Sequence, residues 1–288
     1  MTIIGVTGAT GQLGRLVIER LLKRGVAAEH VVAVVRNPTM AYDLESRGLD
    51  VRLGDYADAK TLPAALAGVD VLLLISGQGR FLAQHAAVID AARQAGVRRV
   101  VYTSTLRAGR TQLAGASEHL GTEQHLQGSG LDYTILRNGQ YLENHTSRMP
   151  QFLAQGEIVG ATANKPLAAA TRADYAAAAA AVLVQDDHSA KVYELGGTPF
   201  TLSELAAAIT DITGTTVAYR DLSSDDLAAF LKSNGVPESF VGFAVELDEA
   251  TAAGAHNTDS GDLQRLLGRP STPLADAVKA AAQQHAVR

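Results

Sequence analysis

The chain has 288 residues, 47% of them hydrophobic and 19% charged, which is enough to bury the core of one large or two unequal domains and excludes disorder as the dominant state. A net charge of −5 supplies no basic surface for nucleic acid or anionic lipid, and no run of about 18 apolar residues is present for membrane insertion. Cysteine is absent, which excludes disulfides, thiolate nucleophiles and cysteine-ligated metal centres, so redox chemistry has to come from a bound cofactor. With no cleavable signal pattern after Met1, a cytoplasmic location is expected.

From the N-terminus, short β-branched runs alternate with stretches of helical periodicity, the signature of a parallel sheet covered on both faces. The expected strands are Ile3 to Thr7, Val31 to Val35, Val51 to Leu53, Val69 to Ser76, Arg99 to Ser104 and Tyr133 to Asn138. The clearest helix runs from Leu13 to Arg24, with Leu13, Leu16, Val17 and Leu21 on one face and Gly25 past its end; another runs from Phe81 to Ala95. After Asn138 come short strands at Glu157 to Gly160 and Val192 to Leu195, with helices at Asp174 to Val184, Leu202 to Ile212, Asp225 to Ser233 and Pro273 to His285. The Ala-rich stretch Asp174 to Val184 reads as a core helix, since alanine is the best helix former and packs closely. This is an α/β chain: a doubly wound parallel sheet of Rossmann type over residues 1–138, with parts of 170–196 returning to it. Residues 139–288 form a smaller, partly discontinuous and interleaved α/β substrate region.

The first strand leads directly into Gly8-Ala9-Thr10-Gly11-Gln12-Leu13-Gly14 and then a helix, an arrangement that binds a dinucleotide pyrophosphate. Gly8 permits the tight turn, Gly11 lets the backbone approach the phosphates, and Gly14 lets the helix sit close on the strand. Thr10, Gln12 and Leu13 complete the cofactor-binding loop, and the helix start adds open N–H groups and partial positive charge. A glycine triplet alone could be a plain turn; the strand before it and the amphipathic helix after it decide for the cofactor. At the end of the second strand the chain reads Val34-Val35-Arg36-Asn37-Pro38, with no carboxylate to chelate ribose hydroxyls. Arg36 is placed to pair with a 2′-phosphate, against the plainer reading of a surface arginine, so NADP(H) is expected rather than NADH. Asp55, Ser76 and Gly77 fall at carboxyl ends of later strands, where such sheets place ligands; Asp55 either borders the adenine or makes a turn.

Thr7 to Gly14 and the succession of strands resemble the short-chain dehydrogenase/reductase superfamily. The resemblance implies a Tyr and a Lys four residues apart on the helix after Thr103 and Ser104, which are themselves cofactor-binding candidates; Ser104 either takes the place of the substrate-polarising serine or merely caps the strand end. That helix carries His119 and Glu123 instead, on one face; these are either a polar or catalytic pair or a solvent-facing one. The only Tyr-to-Lys pair with the right spacing, Tyr56 to Lys60, lies at the adenine end and is taken as coincidence. Too few further ligands are at hand for a metal site. Asn138 and Tyr141, after the sixth strand, carry polar groups suited to face a nicotinamide and a substrate carbonyl, whereas Arg137 could equally be buried in an ion pair.

Val6 to Gly14, Val34 to Pro38, Leu136 to Gly139 and Ala170 to Tyr175 together resemble a narrower group, the atypical NmrA-like branch, and within it the bacterial type 2 NADPH:quinone oxidoreductases. The resemblance implies two-electron reduction of a small quinone by NADPH with neither flavin nor metal, and a homodimer is compatible with it. The catalytic candidates are Asn138, Tyr141 and His119. The missing Tyr is intelligible: hydride addition to a quinone yields a delocalised hydroquinone anion, which needs no strong acid, unlike the alkoxide formed from an aliphatic ketone. The alternative is an NmrA-like redox sensor that binds NADP(H) without turnover.

Overall fold

The computed structural model describes residues 2–77, 80–110 and 115–286. They divide into two compact units, one of residues 1–108, 117–138 and 172–193 and the other of 109–116, 139–171 and 194–288.

The first unit is built on strands β1 (Ile4–Thr7), β2 (Val31–Val35), β3 (Asp50–Leu53), β4 (Val71–Leu74), β5 (Arg99–Thr105) and β6 (Asp132–Asn138), and β8 (Lys191–Leu195) ends the sheet in the order β3-β2-β1-β4-β5-β6-β8. From β3 through β6 every pairing is parallel. The order reverses direction between β1 and β4, the point where open α/β sheets bind ligands beyond the carboxyl ends of their strands. All residues of β1, β2 and β4 are buried, as expected of strands covered on both faces, and the continuous apolar run Val31 to Val35 therefore matches the observed β2 residue for residue.

Helices α1 (Gln12–Lys23), α2 (Tyr42–Glu45), α3 (Leu62–Leu66), α4 (Leu82–Gln94), α5 (Ala116–Gly128) and α8 (Arg172–Val184) belong to this unit, except for the first residue of α5. On one face of the sheet Leu62, Leu66, Val88, Ile89 and Leu126 pack on Val32, Val34, Leu72, Leu74, Val100 and Tyr102. On the other, α1 packs along the alanine-rich α8, whose small side chains permit close approach, and Val17, Ile18 and Leu21 of α1 are buried. Each of those large side chains, fully buried, contributes on the order of 1.5–3 kcal/mol. Arg99, at the start of β5 and 1% exposed, donates from Nη2 to Val182 O at 3.0 Å and Gln185 O at 2.6 Å, placing a cation on the carboxyl end of α8 where the helix dipole favours one.

The second unit has α6 (Glu143–Thr146), α7 (Met149–Gln155), a parallel pair β7 (Glu157–Gly160) and β9 (Ala218–Asp221), α9 (Leu202–Thr213), α10 (Ser224–Ser233), α11 (Glu238–Ala252), α12 (Asp262–Leu267) and α13 (Leu274–Ala286). Its core gathers Met149, Phe152, Ile158, Phe200, Leu205, Ile209 and Val278, with α13 lying on α9. A capping box fixes the start of α9: Thr201 Oγ1 accepts from Glu204 N, and the Glu204 carboxylate accepts from Thr201 N. None of the described helices is long and apolar enough to cross a membrane.

Candidate functional site: a dinucleotide cradle and an altered strand-end network

The turn after β1 is shaped by sterics. Gly8 has φ +58°, a left-handed conformation that costs glycine little, and Gly11 N closes the turn onto Gly8 O at 2.9 Å. A Cβ at Gly14 would lie 2.3 Å from Gly8 O and 2.9 Å from the Ala9 Cα, so only glycine lets α1 come this close. Helix α1 starts after Gly11 with no side chain accepting from its first amides and no acid in its first turn. Those open N–H groups and the helix dipole favour an anion.

Arg36 follows β2 and is exposed, and no described residue pairs with it. Asn37 starts the next turn, its Oδ1 accepting from Thr39 N at 3.1 Å and Thr39 Oγ1 at 2.7 Å. Asp55 is engaged in a turn, accepting from Ala57 N at 2.9 Å, while its own amide donates to Thr61 Oγ1 at 2.9 Å. The Tyr56 hydroxyl lies 2.5 Å from Thr7 Oγ1 and 2.9 Å from Ile75 O, where it braces the ends of β1 and β4. Tyr56 is thus structural, and Lys60 is exposed.

Beyond β4 and β5, two of the predicted residues, Ser76 and Thr103, meet. Ser76 N donates to Thr103 Oγ1 at 3.0 Å, and Gly77 N donates to His85 Nε2 at 3.1 Å. The Thr122 hydroxyl donates to Glu118 O at 2.8 Å, so it can only accept from His85 Nδ1, 3.2 Å away. These bonds select the neutral tautomer of His85 with its proton on Nδ1. Burial, reinforced by the neighbouring His119, pushes the His85 pKa down to about 4.

Helix α5 places His119 and Glu123 against β5 and β6, and their partners differ from the expected i, i+4 pair. His119 Nδ1 lies 2.8 Å from the Tyr102 hydroxyl, and its ring meets Phe81 edge-on at 4.8 Å. Burial lowers the His119 pKa to about 4 against the raising influence of Glu123 and Glu118, so the imidazole is neutral near pH 7. Glu123 is not solvent-facing but 2% exposed: Oε1 accepts from Ser104 Oγ at 2.5 Å and Arg137 Nε at 2.9 Å, and Oε2 accepts from Arg137 Nη2 at 2.6 Å. The two-pronged pair is the ion-pair alternative for Arg137, which stays partly exposed, and the Ser104 hydroxyl is committed to the carboxylate. Glu118 Oε2 accepts from Phe81 N at 2.9 Å and Leu82 N at 2.8 Å, capping α4 from a neighbouring helix.

At the carboxyl end of β6, Asn138 is 8% exposed and its Oδ1, buried, meets no hydrogen-bond partner among the described residues. Buried polar atoms are seldom left so, and such an orphan fits a ligand amide. Tyr141 lies in the second unit, bridged to Ala170. The sequence reading missed His85, Thr122, Tyr102 and Glu118. Only the alternation Val100, Tyr102, Ser104 signals that Tyr102 shares a strand face with Ser104. Among the described residues no group of three His, Asp or Glu side chains could hold a metal ion.

Residues 8–186 match an NAD(P)H-binding family. The chain belongs to this family, in its NmrA-like branch. It is 46% identical over 279 residues to quinone oxidoreductase 2 of Escherichia coli, spanning 96% of this chain and 97% of that protein. The crystal structure of the Escherichia coli NADPH-dependent quinone oxidoreductase with NADPH superposes at a TM-score of 0.93, with 45% identity over 99% of this chain and all of that one. The triphenylmethane reductase of a Citrobacter species, complexed with NADP(H), superposes at 0.92, with 38% identity over 96% of this chain and 99% of that one.

Proposed function

We propose that this protein is an NADPH-dependent oxidoreductase that reduces quinones in a single two-electron step without a flavin. The observation that carries the reading is the fate of the proton donors at the strand ends: Ser104 donates its hydrogen bond to Glu123, and His119 is a neutral imidazole held against Tyr102. A site so arranged suits a substrate whose reduced form is a stabilised anion, and a quinone is such a substrate. The likeness to a quinone oxidoreductase over nearly the whole chain supports the same reading.

The residues fit the cofactor. Gly8 to Gly14 and the open amides of α1 would hold the pyrophosphate, Arg36 the 2′-phosphate, and Ser76, Gly77 and Thr103 the nicotinamide side, with Asn138 pairing its orphaned amide with the carboxamide. NADPH, when bound, supplies the hydride. The chain's work is then positional: Asn138 orients the nicotinamide ring, and the Glu123–Arg137 pair keeps the ends of β5 and β6 rigid. The hydroquinone anion takes its proton from solvent. The test is steady-state NADPH oxidation with a series of benzoquinones and naphthoquinones on protein shown by absorbance to carry no flavin. Turnover without flavin is expected; NADPH binding without quinone-dependent oxidation would favour the sensor reading instead.

A further inference from the structure

Arg15 stands in the first turn of α1, where a cation works against the helix dipole and no acid of that turn offsets it. Its side chain therefore has to be held by something else, and the contacts show what. Nε donates to Thr10 O at 3.2 Å, inside the glycine loop. Nη2 donates to Met40 O at 3.2 Å and to Asp43 Oδ1 at 3.1 Å, and Nη1 donates to Asp43 Oδ2. One guanidinium thus ties the loop after β1 to the segment after β2 that begins with Arg36. The pairing with Asp43 is two-pronged, and it holds the Asp43 carboxyl below its usual range.

We propose that the Arg15–Asp43 clasp is a specificity-determining device: it fixes the segment carrying Arg36 relative to the glycine loop, so that Arg36 meets the 2′-phosphate of a bound dinucleotide. The proposal rests on the NADPH reading given above. The clasp acts through position and does not touch the phosphate. A freely moving Arg36 would still attract the phosphate but would lose the entropy advantage of being held in place. The pyrophosphate, held by backbone amides, depends on the clasp far less, and so does NADH.

The test is calorimetric titration with NADPH and NADH of the wild type, Arg15→Met, Asp43→Asn and the double variant, each checked for an unchanged thermal midpoint, with Arg36→Glu as the reference. Each single variant should weaken NADPH by about three- to tenfold and leave NADH within about twofold; the double variant should be no worse than either single, as for two residues acting as a unit. Arg36→Glu should weaken NADPH by about tenfold or more. If Arg15 instead touched the 2′-phosphate itself, Asp43→Asn would free it and tighten NADPH, and that outcome overturns the clasp. Equal losses for NADPH and NADH also overturn it, because the contact would then serve the glycine loop alone. A wild type without preference for NADPH would remove the cofactor reading on which the proposal stands. Arg15→Lys, which keeps the charge but not the fork, should recover only part of the loss if the protein is too unstable with methionine.

Discussion

The two ends of the cofactor cradle are built on different principles. At the phosphate end, beyond β1 and β2, the site is backbone: a left-handed Gly8, a Gly14 with no room for a methyl, and helix amides with no side-chain cap. At the other end, beyond β4, β5 and β6, it is a set of side-chain contacts from several elements: His85 with Thr122, Tyr102 with His119, and Ser104 and Arg137 with Glu123. Backbone sites tolerate almost no substitution but ask little of the rest of the fold. Side-chain webs can be rewired, and here His119 and Glu123 are taken into the packing of α5 against β5 and β6.

The sharpest way to break that contrast is to remove the centre of the web. Glu123→Ala leaves the partly buried Arg137 without its carboxylate and should cost up to about 3 kcal/mol of stability, read by chemical denaturation. Glu123→Gln, which keeps part of the hydrogen bonding, should cost less; equal, small losses from both would mean the web is ornamental. At the opposite end, Gly14→Ala should weaken NADPH by about 100-fold in calorimetry, because the methyl meets backbone that cannot yield.

Asn138→Ala sharpens the comparison within the web. Its Oδ1 has no described partner, so thermal stability should hold or rise, while quinone turnover should fall by about tenfold or more as the ring loses its orientation. A parallel loss of stability would assign Asn138 to the fold alone. The smallest effect is expected for His119→Phe, with a loss of less than about tenfold in maximal rate, against about 100-fold if the imidazole were an essential acid. With its pKa near 4, His119 stays neutral from about pH 5.5 upward, so the rate should show no imidazole titration between there and pH 8. An inflection near pH 6.5 in the wild type that vanishes in the variant would restore His119 as the proton donor.

The same contrast governs how much was legible in the chain. The glycine loop is local in sequence and its constraints are steric, so Gly8, Gly11 and Gly14 announce themselves; so does β2, whose apolar run needs no context. Helix α11 was not foreseen, because Pro237 offers no side-chain cap and Phe240 and Phe243 are left 63% and 54% exposed, blurring the periodicity that marks a buried face. Strand β9, four residues with only Tyr219 partly covered, gives no alternation to read. For His119 and Glu123 the spacing gave the shared helix face correctly. It could not say that each would turn to a different strand residue, since partners 14 to 19 residues away are set by the docking of α5 on β5 and β6.

The cap that Glu118 places on α4 has a consequence for the protein's motions. The amides of Phe81 and Leu82 have no acceptor in their own helix, so their protection from solvent deuterium depends on a carboxylate 36 and 37 residues further along the chain. Those two amides should therefore exchange at the rate at which α5 lifts from the sheet, and not at the rate at which α4 frays. Their exchange is a built-in clock for the opening of α5, and Glu118→Ala would stop it by letting both amides exchange as freely as any helix end.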